Sequence, residues 1–167
     1  MVNKLYVIDT GLLLRNVNLL HPDNYFYCPE SVLNELKCRN SKEHLEKYSD
    51  FITSIEPNKN AKLITRNAAS MTRDIFKLSS TDLDVCAVAI DLCLKYGIPI
   101  RGPADCISYV RFGKKPELPP SPKLDYELIV LTGDFAIQNV CLLLGIKFTG
   151  FRKSNLKKLN VWNVFCE

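Results

Sequence analysis

Four acidic residues far apart in the chain, Asp9, Glu35, Asp82 and Asp134, stand where apolar runs give way to helical patterns or just after such a pattern starts. Asp9 follows the run Leu5 to Ile8, and Asp134 follows Leu128 to Leu131 by way of Thr132 and Gly133. Asp82 ends the stretch Ser79-Ser80-Thr81-Asp82, ahead of Val85, Val88, Ala89 and Leu92. Carboxylates gathered in one place repel one another and cannot all stay ionised without a cation. Hard oxygen donors suit Mg²⁺ or Mn²⁺, which activate water and stabilise charge on phosphoryl oxygens. The joint chemistry open to these residues is therefore metal-assisted hydrolysis of a phosphate ester. In-line attack by water needs no protein nucleophile, and no Ser, Cys or His presents itself as one; His21 and His44 are isolated.

Taken singly, each acid has a plainer role. Asp82 and Asp134 could be helix N-caps, Asp9 a turn former and Glu35 an exposed helix charge. Their joint placement carries the reading. Asp84 competes with Asp82, but a two-residue step on a helix points side chains to nearly opposite sides. Asp84 shares a face with Asp91 and is expected to face solvent, so Asp82 is the chosen acid. Thr10 could orient Asp9 or its bound water, or serve as a cap hydroxyl. Gln138 and Asn139, one turn after Asp134, could meet phosphate or metal-bound water, or simply be solvated amides. Arg152, Lys153, Lys157 and Lys158 form a basic stretch suited to phosphate contacts, with a solvated helix end as the alternative.

The elements that must position these groups follow from patterning. Leu5 to Ile8, Tyr25 to Cys28, Leu128 to Leu131 and Ile146 to Phe148 are short, apolar and rich in strand formers. Helical patterns begin at Leu12 to Leu14, at Pro29 with Glu30 and at Ser79, and extend from Phe135 to Leu144, where Gly145 closes them. Leu45, Tyr48, Phe51, Ile52 and Ile55 recur at helical spacing, which predicts an amphipathic helix over Ser41 to Ile55 that stops before Pro57. Asn60 to Phe76 is expected to be helical as well. From Gly102 to Tyr126 the chain holds five prolines and several lysines, which predicts a mobile surface insertion. Strands of continuous apolar residues alternating with helices indicate an α/β fold, a central parallel sheet with helices on both faces. In such sheets active groups collect outside the carboxyl ends of the strands.

With 167 residues, one domain is expected, and 47% hydrophobic content argues against global disorder. A net charge of +4 permits a polyanionic partner without demanding one. Seven scattered cysteines without a Cys-x-x-Cys pair exclude both a disulfide framework and a complete zinc site. They read as reduced thiols, with Cys86 and Cys93 as small buried hydrophobes. No signal-peptide or membrane-spanning run is present, so a reducing intracellular location without membrane contact is expected.

Tyr6-Val7-Ile8-Asp9-Thr10, Leu78-Ser79-Ser80-Thr81-Asp82-Leu83-Asp84-Val85 and above all Leu131-Thr132-Gly133-Asp134-Phe135-Ala136-Ile137-Gln138-Asn139-Val140 resemble the PIN-domain nucleases. More narrowly, they resemble the Nob (Nin-one-binding protein) type, and the likeness spans nearly the whole chain. It implies a PIN-like three-layer α/β/α fold and a metal-dependent endoribonuclease with Asp9, Glu35, Asp82 and Asp134 as metal-binding acids. It further implies a precursor small-subunit ribosomal RNA substrate cut at the 18S 3′ end, partners in the pre-40S particle and its assembly factors, and residence in cytoplasm and nucleus. On this pattern residues 1–150 are the nuclease domain, with the proline-rich insertion at about 102–126, and residues 151–167 are a basic C-terminal segment. The family type usually continues from a segment like Val161-Trp162-Asn163-Val164-Phe165-Cys166 into a four-cysteine zinc ribbon. Here only Cys166 is present, so zinc is implied only for a ribbon outside this chain.

Three other readings compete. Asp9-Thr10-Gly11 is also an aspartic-protease signature, but those enzymes need a second such motif on β-rich halves, and none exists. A phosphatase using Asp9 as nucleophile lacks the second acid expected two residues on, where Gly11 stands. The remaining alternative is a non-catalytic RNA-binding or ribosome-assembly module on the same fold.

Overall fold

In the computed structural model the described residues are 2–14, 24–38, 43, 46–47, 49–120, 124–150 and 158–159. Among them the apolar runs form a 5-stranded sheet, all parallel, in the order β3-β2-β1-β4-β5. The strands are β1 (Asn3–Ile8), β2 (Tyr25–Cys28), β3 (Ile52–Ser54), β4 (Tyr126–Leu131) and β5 (Lys147–Thr149). The helices are α1 (Thr10–Leu13), α2 (Glu30–Cys38), α3 (Lys59–Thr72), α4 (Ser80–Tyr96), α5 (Pro103–Phe112) and α6 (Phe135–Leu144), with a 3-10 turn at Asp74–Phe76. Parallel strands need crossovers, and right-handed crossovers running in two directions from the centre place helices on both faces. The result is the expected three-layer α/β/α arrangement. Leu5, Val7, Ile8, Leu128, Val130 and Leu131 are buried in its centre, as suits strands covered on both sides.

Two features of this frame position the site. First, strand order reverses between β1 and β4, which pair from Asn3 with Tyr126 to Ile8 with Leu131. The crevice beyond their carboxyl ends is the switch point where open α/β sheets bind ligands. Second, α4 begins at a capping box in which Ser79 Oγ accepts from the Asp82 amide at 3.1 Å and the Asp82 carboxylate accepts from the Ser79 amide at 2.9 Å. From Val85 to Ile90 every side chain of α4 is buried, so this helix is central, and it packs against β1, β2 and β4.

One expectation is overturned and another is sharpened. Ile52–Ser54 is not the end of a helix but the edge strand β3, with Phe26 opposite Ile52 and Cys28 opposite Ser54. Three residues are too few for periodicity to separate strand from helix, and the β-branched Ile52 and Thr53 suit the pleated edge. The supposed mobile insertion contains α5, whose Cys106 and Tyr109 are buried. Its breakers are boundary signals: Pro103 occupies the first turn and Gly113 ends the helix in the left-handed region at φ 68. Residues 121–123, with Pro122, lie outside the described residues. Among the described residues no helix is long and apolar enough to cross a membrane.

Candidate metal and nucleic-acid site

Asp9 leaves the end of β1 and caps α1, its Oδ1 accepting from the Leu12 amide at 3.1 Å. The β1–β4 register sets it beside Thr132, the first residue after β4, whose hydroxyl donates to Asp9 Oδ2. The same Thr132 oxygen accepts from the Asp134 amide at 3.1 Å. Asp134 in turn caps α6, Oδ1 accepting from Ala136 and Ile137 at 2.7 and 3.3 Å, and its side chain is exposed. Glu35 reaches in from α2 and accepts from the Thr10 hydroxyl at 2.8 Å.

These acids sense one another. Burial is the main cause that pushes the Asp9 carboxyl above its ordinary range; hydrogen bonds from Thr132 and Leu12 oppose it, while the charges of Asp134 and Asp82 add to it. Asp82 is raised in the same way, first by burial and then by the charges of Asp134 and Glu35, against its bonds with Ser79. Asp9, Asp82 and Asp134 therefore act on one another at the switch-point end of the sheet, and Glu35 joins them through its charge on Asp82 and its bond from Thr10. Among the described residues no three of them come together closely enough to grip one ion. Each accepts a hydrogen bond from a nearby N–H or O–H. The donor set fits a hard divalent cation: the side chains that would hold it offer carboxylate oxygens, and a cation would offset both the burial of charge that chiefly raises Asp9 and Asp82 and the lesser repulsion among the acids.

The other expected residues fall differently. Thr10 orients Glu35 rather than Asp9, so its hydroxyl is engaged inside the acidic group rather than offered to RNA. Gln138 and Asn139 are each 1% exposed and cannot meet phosphate. Gln138 donates to the Thr132 carbonyl at 3.0 Å, and Asn139 donates to the buried Asp74 at 2.7 Å. Both face inward because α6 is covered on the side where they lie. Asp84 is only partly open to solvent: it accepts from Ser31 of α2 at 3.0 Å and lies 3.7 Å from Lys62. The two-residue step from Asp82 turned it toward neighbouring helices. Arg152, Lys153 and Lys157 lie outside the described residues, as does Cys166, and Lys158 is exposed. The described free cysteines, Cys28, Cys86, Cys93, Cys106 and Cys141, are buried away from the acids' solvent side, and burial pushes Cys28 and Cys93 up to about 12, which keeps those two as thiols.

Thr132 was not among the sequence candidates. A hydroxyl at a strand end is visible in the sequence, but its partner across the ladder is not. Thr132→Val keeps the shape and removes the hydroxyl that orients Asp9 and holds the Asp134 amide. We expect activity and divalent-ion affinity to fall about 10- to 100-fold, as when an outer-shell partner of a metal ligand is lost, with the fold retained. Titration of Mn²⁺ into both proteins, read by melting temperature and by cleavage, checks this; equal affinity would remove Thr132 from the site.

Residues 6–92 match the family model for the PIN domain of ribonuclease, a span that includes Asp9, Glu35 and Asp82. The chain is 28% identical over 157 residues to Ribonuclease VapC1 of Thermoplasma acidophilum, covering 93% of this chain and 61% of the relative. It is 29% identical over 162 residues to Endoribonuclease Nob1 of Pyrococcus abyssi, covering 96% and 76%. Over 101 residues it is 31% identical to Endoribonuclease Nob1 of Archaeoglobus fulgidus, covering 60% and 43%. The chain thus spans less than two thirds of the length of the first and third of these relatives. A parallel sheet in this order, acids at its switch point and a family match over half the chain lead to one conclusion: the chain belongs to the PIN-domain ribonuclease family.

Proposed function

We propose that this chain is a metal-dependent endoribonuclease that cuts precursor small-subunit ribosomal RNA to form the 18S 3′ end, within the pre-40S particle and its assembly factors. The observation that carries the reading is the mutual influence of Asp9, Glu35, Asp82 and Asp134 at the switch-point end of the sheet, with Asp9 and Asp82 raised by burial and by their acidic neighbours. The two relatives named Nob1 and the Leu131 to Val140 stretch support the narrower substrate.

Asp9, Glu35, Asp82 and Asp134 would hold Mg²⁺ or Mn²⁺, which when bound supplies Lewis-acid stabilisation of phosphoryl charge and an acidified water. The chain's own residues position this chemistry. Thr132 and the Leu12 amide fix both oxygens of Asp9, and Thr10 fixes Glu35. Asp134 is exposed and makes its capping bonds through Oδ1, so Oδ2 is our assignment for the oxygen that takes the proton of the attacking water. The water oxygen then bonds to phosphorus as the P–O3′ bond breaks, which leaves a 5′-phosphate, and a solvent proton converts the departing 3′ oxygen to the 3′-hydroxyl. A net charge of +4 is modest for an RNA-binding protein, so we assign site selection largely to the surrounding particle. The buried free thiols support a reducing location in cytoplasm and nucleus.

The test is incubation with RNA spanning the small-subunit 3′ junction plus Mn²⁺. We expect wild type to produce a 5′-phosphorylated fragment and Asp134→Asn to be slower by more than the roughly 100-fold upper range for an outer-shell loss. RNA binding without cleavage, identical in both proteins, would leave a non-catalytic module in place of the nuclease.

A further inference from the structure

Gln138 and Asn139 carry two amides into the core from one turn of α6, where an amide without a partner is costly. The other buried residues of this helix, Ile137, Val140, Cys141, Leu143 and Leu144, are apolar. Apolar packing is non-directional, so it presses α6 against its neighbours without fixing the turn of the helix about its own axis. Buried hydrogen bonds do fix direction, and they specify one arrangement of the elements that they join.

Consecutive helical residues point about 100° apart, so the two amides reach different neighbours. Gln138 Nε2 donates at 3.0 Å to the carbonyl of Thr132, the first residue after β4. The other polar groups of Thr132 are engaged as well. Its amide donates to Thr149 of β5 at 3.1 Å, and its hydroxyl donates to Asp9 and accepts from the Asp134 amide. Gln138 thus ties the strand end that orients Asp9 to the helix that Asp134 caps. Asn139 Nδ2 donates at 2.7 Å to Asp74 Oδ2, which also accepts from the Thr72 hydroxyl at 2.5 Å. Asp74 is fully buried, and its carbonyl accepts from the Lys77 and Leu78 amides at 2.8 and 3.0 Å. That turn delivers the chain to Ser79, the cap of α4. Asn139 thus ties α6 to the segment that places Asp82.

We propose that Gln138 and Asn139 are positioning residues, two arms from one turn of α6 that set Asp134 against Asp9 through Thr132 and against Asp82 through Asp74. Both act from inside the core and neither touches RNA. This rests on the nuclease reading of the four acids.

The test uses the whole chain, first without metal, by carbon NMR of the aspartate carboxyls. Gln138→Met keeps the length of the side chain and removes its donor; it should move the Asp134 signal, and the Asp9 signal more than that of Asp82. Asn139→Leu should move Asp134 as well, and Asp82 more than Asp9. Asp91, held by Asn58 on the outer side of α4, is the control and should stay in place in both. Mn²⁺ affinity, read by electron paramagnetic resonance, should fall about 10-fold, the lower end for an outer partner of a metal ligand. Cleavage should lose kcat, with the KM for RNA unchanged. Asn139→Leu leaves a buried acid short of a donor, so the exchanged pair Asp74→Asn with Asn139→Asp provides a second route, keeping the bond with its direction reversed. The pair should regain Mn²⁺ affinity that Asn139→Asp alone loses. A folded Gln138→Met protein with unchanged acid signals and Mn²⁺ affinity would overturn the first arm, even if it melts lower. An exchanged pair that folds and binds Mn²⁺ no better than Asn139→Asp would overturn the second. Moved signals in the variants, with a wild type that binds Mn²⁺ and never cuts RNA, would remove the nuclease and leave the positioning of the acids standing.

Discussion

Asp9→Asn is expected to lower RNA cleavage on the order of a hundredfold to a thousandfold, the scale of losing one group that stabilises transition-state charge, while making the metal-free protein harder to melt. The second half follows from the crevice. Asp9 is buried and borders Asp134 and Asp82, and its carboxyl is raised above the ordinary 3.8 because the folded state resists its charge. A raised carboxyl means that the native protein binds more protons than the unfolded chain between 3.8 and the raised value, so stability falls as pH rises through that window. Asparagine keeps an acceptor for the Leu12 amide and carries no charge. The melting advantage of Asp9→Asn in EDTA should therefore be small below the window, grow as pH rises through it, and persist to neutrality. Mn²⁺ should raise the melting temperature of wild type by mass action and do much less for the variant. Melts by circular dichroism across pH, with EDTA and with Mn²⁺, check each part. An Asp9→Asn protein that melts below wild type at neutral pH in EDTA would show that the acids are not in conflict.

The largest effect on stability is expected at Arg101, far from the acids. Arg101 is 2% exposed and its guanidinium ties the end of α6 to the loop after α5: Nη1 donates to the Leu142 and Leu143 carbonyls at 2.8 and 3.0 Å, and Nε donates to the Pro116 carbonyl at 3.0 Å. A cation at the end of α6 also meets the negative end of the helix dipole, and the guanidinium lies 5.3 Å from the Tyr109 ring. Arg101→Ala removes three charge-assisted bonds, leaves Leu142 and Leu143 with only the weaker donors Gly145 N and Cys106 Sγ, and opens a void beside α5. Losing three charge-assisted bonds at about 1.5–3 kcal/mol each points to a total on the order of 4.5–9 kcal/mol, or upward of roughly 10 °C in melting temperature. Arg101→Lys should recover only part, since an ammonium lacks the planar fork. Urea unfolding of the three proteins decides this; a shift under about 1 kcal/mol for the alanine variant would mean that water or a neighbour takes over the bonds.

Much of the frame was legible in the chain because its signals are local. Apolar runs marked β1, β2 and β4, Ser79 to Asp82 marked the start of α4, and Gly145 marked the end of α6. Local signals failed where they were short or ambiguous. Ile52–Ser54 continued a helical spacing by chance, and Pro103 and Gly113 look the same whether they bound a helix or punctuate a loop. Helical phase separated Asp82 from Asp84, yet the same reasoning could not reveal that Ser31 and Lys62 stand where solvent was expected. Gln138 and Asn139 show the limit most plainly, since a polar side chain one turn from an acid looks open to ligand until the layers that cover it are known.

The four acids that open the sequence were determined by the chain itself, as residue types at strand ends and helix starts, because those positions depend on a few neighbouring residues. Which of them border one another, and which hydroxyl holds Asp9, were decided only by the tertiary structure. Both depend on the order β3-β2-β1-β4-β5 and on the register that sets Ile8 beside Leu131. That pairing joins residues more than a hundred positions apart, and it is fixed by burial over the whole sheet, which no local stretch encodes.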